Sequence, residues 1–156
     1  MKIFAIDPGN IKSGYVVLNE DLSLKEFGKI DNEELLSNIY NGDFDKCSHV
    51  AVEMIASYGM SVGQSIFETC VWIGRFQEAI LHRALGPVNY VYRKDEKINL
   101  CGTMKAKDTN IRQALIDRFG VVGVIKNKGW FYGVSNDVWS AIAVGVTYYD
   151  MYMDSK

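Results

Sequence analysis

The chain has 156 residues, of which 48% are hydrophobic and 23% are charged, and its formal net charge is −2. This length suits one domain with a sizeable core, and the composition excludes a wholly disordered chain. The net charge excludes a protein that is basic overall. Three cysteines without metal-ligand spacing, Cys47, Cys70 and Cys101, indicate reduced thiols and no disulfide framework.

Three consecutive strands are predicted at the start of the chain. Apolar residues at 2–6, 14–18 and 22–30, separated by turn-forming residues, predict an antiparallel meander. A short helix follows, with Asp31 as its N-cap and Glu34 as the capping-box partner. The apolar segment 49–54 then predicts a fourth, buried strand.

Helices dominate the prediction for the rest of the chain, with one further strand at 88–92. Apolar residues at helical spacing predict a long helix over 62–85, a second over 108–119 and a strongly apolar last helix from 137 to about 151. The apolar run 138–149 is too short to span a bilayer, and the chain begins without a signal-peptide pattern. We therefore expect one cytoplasmic α/β domain over 1–156, with a mixed five-stranded sheet and helices on both faces.

Three carboxylates stand out because their neighbours in sequence are apolar. Asp7 ends the first strand, Glu53 lies inside the fourth, and Asp137 opens the last helix. A charge in such a place is costly unless it is paired or binds a metal. Asp7 is also explained as a turn residue and Asp137 as an N-cap, whereas a glutamate within a strand has no capping role.

The first and fourth strands bring Asp7 and Glu53 together if they are neighbours in the sheet. Like charges side by side are destabilising, so we expect a cation there, with Asp137 completing the cluster. Carboxylate oxygens suit Mg²⁺, with Mn²⁺ as a substitute. Two such ions would activate a water and stabilise the leaving oxygen in phosphodiester cleavage.

Positive charge is concentrated in the segment 93–128. This segment holds nine Lys or Arg against four Asp or Glu, whereas residues 1–60 hold ten acidic and five basic side chains. It is either an ordinary solvated face or a surface that contacts phosphate. The candidates for DNA contact in it are Arg93, Lys94, Lys105, Lys107 and Arg112.

Several of these segments resemble a known family. The segments 6–9 (Ile-Asp-Pro-Gly) and 13–15 (Ser-Gly-Tyr) resemble the first-strand motif of the RuvC Holliday-junction resolvases, which belong to the RNase H-like superfamily. Val52-Glu53 resembles the second motif, and the segment 137–144 resembles the closing helix. The order of the motifs matches over nearly the whole chain, and the short length and last helix resemble the bacteriophage branch.

The resemblance implies a metal-dependent endonuclease that nicks four-way junctions as a homodimer with two active sites. Asp7, Glu53 and Asp137 would be its catalytic, metal-binding residues. The family carries a second aspartate three residues after the first on the last helix, where this chain has Ser140, a neutral and weaker ligand. Tyr58 lies where the family places an aromatic near the branch point, so we expect it to stack on an unpaired base, unless it is simply an exposed loop tyrosine.

Two alternatives to this function stay open. One is an RNase H-like nuclease that acts on RNA–DNA hybrids or forks, and the other is a non-catalytic protein that binds branched DNA. If the protein is phage-encoded, the expected location is the cytoplasm of the host.

Overall fold

Five strands form one mixed sheet, as the sequence predicts, and the first strand lies at its centre. The computed structural model describes residues 1–154. The order of the strands is β3-β2-β1-β4-β5, in which β1, β2 and β3 are antiparallel neighbours and β4 and β5 run parallel to β1. The strands are β1 (Ile3–Asp7), β2 (Lys12–Leu18), β3 (Leu24–Asp31), β4 (His49–Met54) and β5 (Val88–Tyr92).

Helices cover both faces of this sheet. They are α1 (Asn32–Tyr40), α2 (Gln64–His82), α3 (Arg93–Cys101), α4 (Asp108–Phe119) and α5 (Asn136–Tyr148), which continues as a π-helical turn (Tyr149–Met153). A short hairpin of β6 (Gly123–Val124) and β7 (Asn127–Lys128) joins α4 to α5. Within residues 1–154 no helix is long and apolar enough to cross a membrane, and Cys47, Cys70 and Cys101 are free thiols, as expected.

The alternation of side chains along β1 decides which helices each residue meets. Phe4 and Ile6 pack in the core beneath α1 and α2, whereas Ile3 and Ala5 pack against α5 on the opposite face. Successive side chains of a strand point to opposite faces, so Asp7 continues the row of Ile3 and Ala5. The end of β1 therefore delivers its carboxylate to the face that α5 covers.

Helix α3 was missed by the sequence prediction. Its segment is rich in charge and carries few apolar residues, so no apolar stripe at helical spacing marks it. Its start is fixed locally, because the backbone N–H of Tyr92 donates to the carboxylate of Asp95 at 3.0 Å. The missed helix matters for function, since it lies directly after β5 and supplies two residues to the region around Asp7.

Asp150 joins helices α3, α4 and α5 to one another at one end. Its carboxylate accepts hydrogen bonds from Asn99 of α3 at 2.7 Å and from the guanidinium of Arg118 of α4 at 2.7 and 2.9 Å. Asp150 itself lies in the π-helical turn that continues α5. The ends of α3, α4 and α5 that lie away from Asp137 are thus held by one side chain.

Candidate active site

Asp7 and Glu53 lie side by side at the carboxyl ends of two parallel strands. The register of β1 and β4 pairs Ile6 with Val52, and the two acidic residues come next on each strand. Both side chains are partly buried, and their carboxyl groups are close enough for each to act on the pKa of the other. The first and fourth strands are neighbours in the sheet, which is the condition under which the sequence brings Asp7 and Glu53 together.

Burial changes the acidity of this pair. Burial raises the pKa of Glu53 far above its ordinary value, and the nearby charges of Glu96 and Asp7 raise it further. Burial also raises the pKa of Asp7, against the opposing influence of the Glu53 hydrogen bond and the Arg93 charge. Without a bound cation, the pair therefore still carries a proton at neutral pH, where exposed carboxyl groups are already ionised.

A hydrogen-bond network braces the turn that follows Asp7. The backbone N–H of Gly9 donates to the hydroxyl of Ser13 at 3.1 Å, and that hydroxyl donates to the amide oxygen of Asn32 at 2.6 Å. The amide nitrogen of Asn32 donates back to the carbonyl of Gly9 at 2.8 Å. Asn32 is buried, so the network ties the Asp-Pro-Gly turn to the start of α1.

The capping box predicted for α1 is wrong. Asp31 does precede the helix, but its side chain caps no backbone N–H. Its carboxylate lies 3.9 Å from the amine of Lys12 on the neighbouring strand. The polar contacts at the start of α1 come from Asn32, which is turned inward to the network described above.

Gly14 allows Asp137 to approach Asp7. Gly14 of β2 is paired with Asp7 of β1, and a Cβ atom at this position would lie 2.6 Å from the backbone carbonyl oxygen of Asp137. Only a residue without a side chain lets the first turn of α5 rest on β2 at this point. Asp137 is thereby close enough for its charge to raise the pKa of Asp7.

The carboxylate of Asp137 is engaged with a cation. Its Oδ2 lies 2.8 Å from the amine of Lys29, which is carried on β3 and paired with Gly14 from the other side. The Asp137 side chain is about half exposed, so this ion pair is open to solvent and exchangeable. Sequence analysis did not single out Lys29, because a lysine on an exposed strand carries no distinguishing pattern.

The three predicted carboxylates approach one another without closing on a common point. Within residues 1–154, no three His, Cys, Asp or Glu side chains lie close enough together to hold a metal ion. Two buried carboxylates side by side are nevertheless the donors that a hard divalent cation takes. A cation between Asp7 and Glu53 would favour the charged form of both carboxyl groups and so oppose the burial that raises their pKa, and this pair therefore fits such an ion.

A fourth carboxylate, Glu96 of α3, lies beside Glu53. Glu96 is completely buried, its Oε1 accepts a hydrogen bond from the Nη1 of Arg93 at 3.2 Å, and its Oε2 has no partner among the described residues. Burial raises the pKa of Glu96, whereas the Arg93 charge lowers it. Its place in a run of charged residues is typical of a solvated surface, so the sequence did not reveal it.

A cleft of about 310 Å³ opens next to these carboxylates, between α5 and the pair α3 and α4. Arg93 belongs to both places, since it lines the cleft and acts on the pKa of Asp7 and Glu53. The guanidinium of Arg112 lies on the cleft wall, 5.0 Å from the centre of the Trp139 ring. Ser140 faces the cleft one helical turn after Asp137, with these arginines around it. Two guanidinium groups on the wall favour a ligand that carries phosphate.

The other predicted DNA-binding residues lie at the surface. Lys94, Lys105 and Lys107 are exposed on α3 and in the loop before α4. Tyr58 is 54% exposed in the loop between β4 and α2, at the edge of the sheet where β4 ends after Glu53. Its backbone has a φ of 49° and the next residue, Gly59, a φ of 81°, which gives a tight turn that leaves the phenol ring outside the core.

Two structures of Thermus thermophilus RuvC match this architecture over nearly all of both chains. One superimposes with a TM-score of 0.68 and 17% identity, and covers 96% of this chain and 95% of RuvC. The other, in complex with a Holliday junction substrate, gives 0.71 and 16%, and covers 95% and 92%. The chain has the RNase H-like fold of RuvC. The fold expected from the sequence motifs is thus confirmed.

The RuvC fold is shared with a viral protein. The Fowlpox virus resolvase, in complex with Holliday junction DNA, matches with a TM-score of 0.57 and 13% identity, and covers 95% of this chain and 98% of the resolvase. No protein-family model and no curated protein sequence matches the chain. The similarity therefore lies in the fold.

Proposed function

We propose that the protein is a structure-selective DNA endonuclease that nicks four-way junctions with a divalent cation. The observation that carries this proposal is the pair of buried carboxylates, Asp7 and Glu53, at the carboxyl ends of the central parallel strands of a RuvC fold. The junction DNA held by T. thermophilus RuvC and by the Fowlpox virus resolvase supports the choice of substrate.

Mg²⁺ is the proposed cofactor, with Mn²⁺ as a substitute, and Asp7 and Glu53 would hold it. When bound, such an ion lowers the pKa of an attacking water and polarises the phosphodiester. Asp137 would join the site by exchanging Lys29 for the ion. Ser140, on the cleft wall, would contribute at most a neutral hydroxyl.

The charges around the site are consistent with one divalent ion. Four carboxylates lie in this part of the molecule without closing on a common point, and two cations, Lys29 and Arg93, pair with two of them. If Asp108, the exposed second partner of Arg93, is set aside, the four ionised carboxylates exceed the two cations by two charges, which one divalent ion would supply. The carboxylates concerned are Asp7, Glu53, Glu96 and Asp137.

The proposed path of the DNA runs from the cleft over α3 and the start of α4. Arg93 and Arg112 line the cleft, and Lys94, Lys105 and Lys107 extend the positive surface beyond it. Backbone N–H groups at the first turn of α4 add to the attraction for phosphate near Lys107. Tyr58 would stack on a base at the branch point, because it is exposed at the same edge of the sheet as Glu53.

We propose further that the protein acts as a homodimer, since two-fold protein symmetry matches a four-way junction. Helix α2 supports this, because Phe67 and Val71 lie one turn apart and are 61% and 63% exposed. Phe67→Ser should then lower the molecular mass measured by light scattering to that of a monomer. Ile98→Ser, at a similarly exposed residue of α3, is the matched control.

A second candidate function is junction binding without cleavage. Two observations favour it: no three acidic or other metal-binding side chains within residues 1–154 close on one point, and Ser140 replaces an expected acidic ligand. Such a protein would bind branched DNA through the same cleft and leave its strands intact.

One cleavage experiment separates these functions. The purified protein is incubated with Mg²⁺ on four-way junctions, forks and RNA–DNA hybrids, beside Asp7→Asn as the inactive variant. Asp45→Asn is the matched control, because Asp45 pairs with Arg83 at the other end of the sheet. Junction nicking by the wild type and by Asp45→Asn, but not by Asp7→Asn, supports the endonuclease. Binding without nicking supports the second candidate, and preferential hybrid cleavage supports an RNase H activity.

A further inference from the structure

Arg93 contacts two carboxylates, one of which is buried and the other exposed. Its Nη1 donates to Glu96, whose side chain is completely buried, and its Nη2 contacts Asp108, whose side chain is 85% exposed. Arg93 itself is 25% exposed and lines the cleft. One end of the guanidinium is therefore anchored inside the protein, and the other end meets a partner that solvent already reaches.

We propose that Arg93 is the phosphate-binding cation of the active site, that Glu96 is its positioning residue, and that Asp108 occupies the phosphate position until DNA enters. This inference rests on the proposed function. A carboxylate and a phosphate both accept paired hydrogen bonds from a guanidinium, so one replaces the other without moving Arg93.

The two carboxylates differ in how readily they release Arg93. Breaking the contact with Glu96 would leave a buried charge without its partner, which is strongly unfavourable. An exposed ion pair contributes little, because water and salt compensate both partners when it breaks. Entry of a phosphate therefore displaces Asp108 and leaves the contact with Glu96 intact.

The position of Arg93 connects the cleft to the carboxylate pair. Arg93 lowers the pKa of both Asp7 and Glu53, so its charge lies near the residues proposed to hold the metal. Arg112 lies on the same cleft wall, without a carboxylate partner among the described residues. A phosphate bound by Arg93 would thus lie at the metal end of the cleft, and Arg112 would meet a neighbouring phosphate.

A double-mutant cycle tests the exchange between Asp108 and phosphate. The dissociation constant of a fluorescent four-way junction is measured without divalent ions for the wild type, Arg93→Gln, Asp108→Asn and the double variant. Arg93→Gln should weaken binding about tenfold or more and lower the salt slope by about 0.9. Asp108→Asn should tighten binding about threefold in the wild-type background and have no effect when Arg93 is already glutamine.

Asp45→Asn provides the matched control for charge. It removes one negative charge from an exposed arginine–aspartate pair, but Asp45 lies before β4, at the end of the sheet away from Glu53. Its effect on junction binding should be the same with and without Arg93. A gain with Asp108→Asn that persists in the Arg93→Gln background would overturn the proposed exchange.

A second cycle tests Glu96 as the positioning residue. Glu96→Gln keeps an acceptor for the guanidinium, so binding should stay within about threefold of the wild type. Glu96→Ala should weaken binding as much as Arg93→Gln does, with no further loss in the double variant. Thermal unfolding of each variant confirms that it is folded at the assay temperature. If Glu96→Ala lowers only the melting temperature and leaves binding unchanged, the positioning role is wrong.

The wild type separates this inference from the function on which it rests. If the wild type neither binds nor cleaves branched DNA, both the proposed function and this inference are wrong. If the wild type binds and nicks junctions while the two cycles are additive, the endonuclease stands and the roles of Arg93, Glu96 and Asp108 are overturned.

Discussion

Lys29 and Asp137 form an ion pair across Gly14, the glycine that is paired with Asp7. The amine and the carboxylate are 2.8 Å apart, and both side chains are partly exposed. The pair holds Asp137 beside the buried carboxylates while keeping its charge neutralised. Lys29 therefore competes with any metal ion for Asp137.

Removing this competitor should strengthen metal binding. Lys29→Gln should lower the Mn²⁺ concentration for half-saturation several-fold, because Asp137 is then free to join Asp7 and Glu53. Isothermal titration of the DNA-free protein measures this. Lys12→Gln is the matched control, since Lys12 of β2 pairs with Asp31 of β3 and not with a carboxylate of the site. Equal affinities for wild type and Lys29→Gln would mean that Asp137 is not a ligand.

Neutralising Asp7 should separate binding from cleavage. Asp7→Asn should reduce the cleavage rate more than about 100-fold, because a ligand is lost, while junction binding stays equal or becomes tighter since less negative charge faces the phosphates. Gel assays of nicking and of binding measure the two effects. The same outcome is expected for Glu53→Gln and Asp137→Asn. A variant that cleaves at the wild-type rate is excluded from the catalytic set.

The stability of the metal-free protein should fall as the pH rises. The pKa of Glu53 is raised in the folded state, so above the ordinary carboxyl value of 4.5 the folded protein binds more protons than the unfolded chain. The free energy of unfolding then decreases with pH until the folded-state pKa is passed. The raised pKa values of Asp7 and Glu96 act in the same direction.

Thermal unfolding with a chelator, between about pH 5 and about pH 8, measures this effect. Glu53→Gln should flatten the profile and raise the melting temperature at the upper end. Added Mg²⁺ should stabilise the wild type most at high pH, because the site is then deprotonated. A melting temperature that rises with pH in the absence of metal would contradict the raised pKa values of these buried carboxyl groups.

A side chain at Gly14 should displace α5. Gly14→Ala places a Cβ 2.6 Å from the carbonyl oxygen of Asp137, and backbone at that distance has to move. We expect a loss of about 1–3 kcal/mol in the free energy of unfolding. The nicking rate of the protein that remains folded should also fall, because the displaced α5 carries Asp137. Gly74→Ala is the control, because nothing lies within 4 Å of its Cβ position and alanine favours the helix. Denaturant unfolding and the nicking rate report both effects.

The sequence predicted the parts of the fold that depend on local patterns. Short apolar segments bounded by turn-forming residues predicted all five strands of the main sheet, and Glu53 was recognised because a carboxylate is unusual inside an apolar strand. The sequence left the pairing of β1 with β4 as a condition, and in the structure this pairing brings Asp7 to Glu53. The opening of the last helix at Asp137 followed from the apolar residues behind it.

The parts that were missed depend on long-range contacts. Glu96 lies in a run of charged residues, and only the packing of α3 against the sheet buries it. The contact between Lys29 and Asp137 joins residues more than a hundred positions apart, and no local pattern marks either partner for the other. The same holds for Arg93, which was predicted from charge alone as a surface contact and is held by Glu96.

The three hydrogen bonds that Asp150 accepts give the cleft a fixed end and a free end. Asp150 joins α3, α4 and α5 at the fixed end, whereas Arg93 and Asp108 meet at the other end through an exposed contact. The wall formed by α3 and α4 is thus fixed to the end of α5 through Asp150. If the cleft binds DNA as proposed, its mouth can widen around a duplex arm while the end held by Asp150 keeps the helices in place over the sheet.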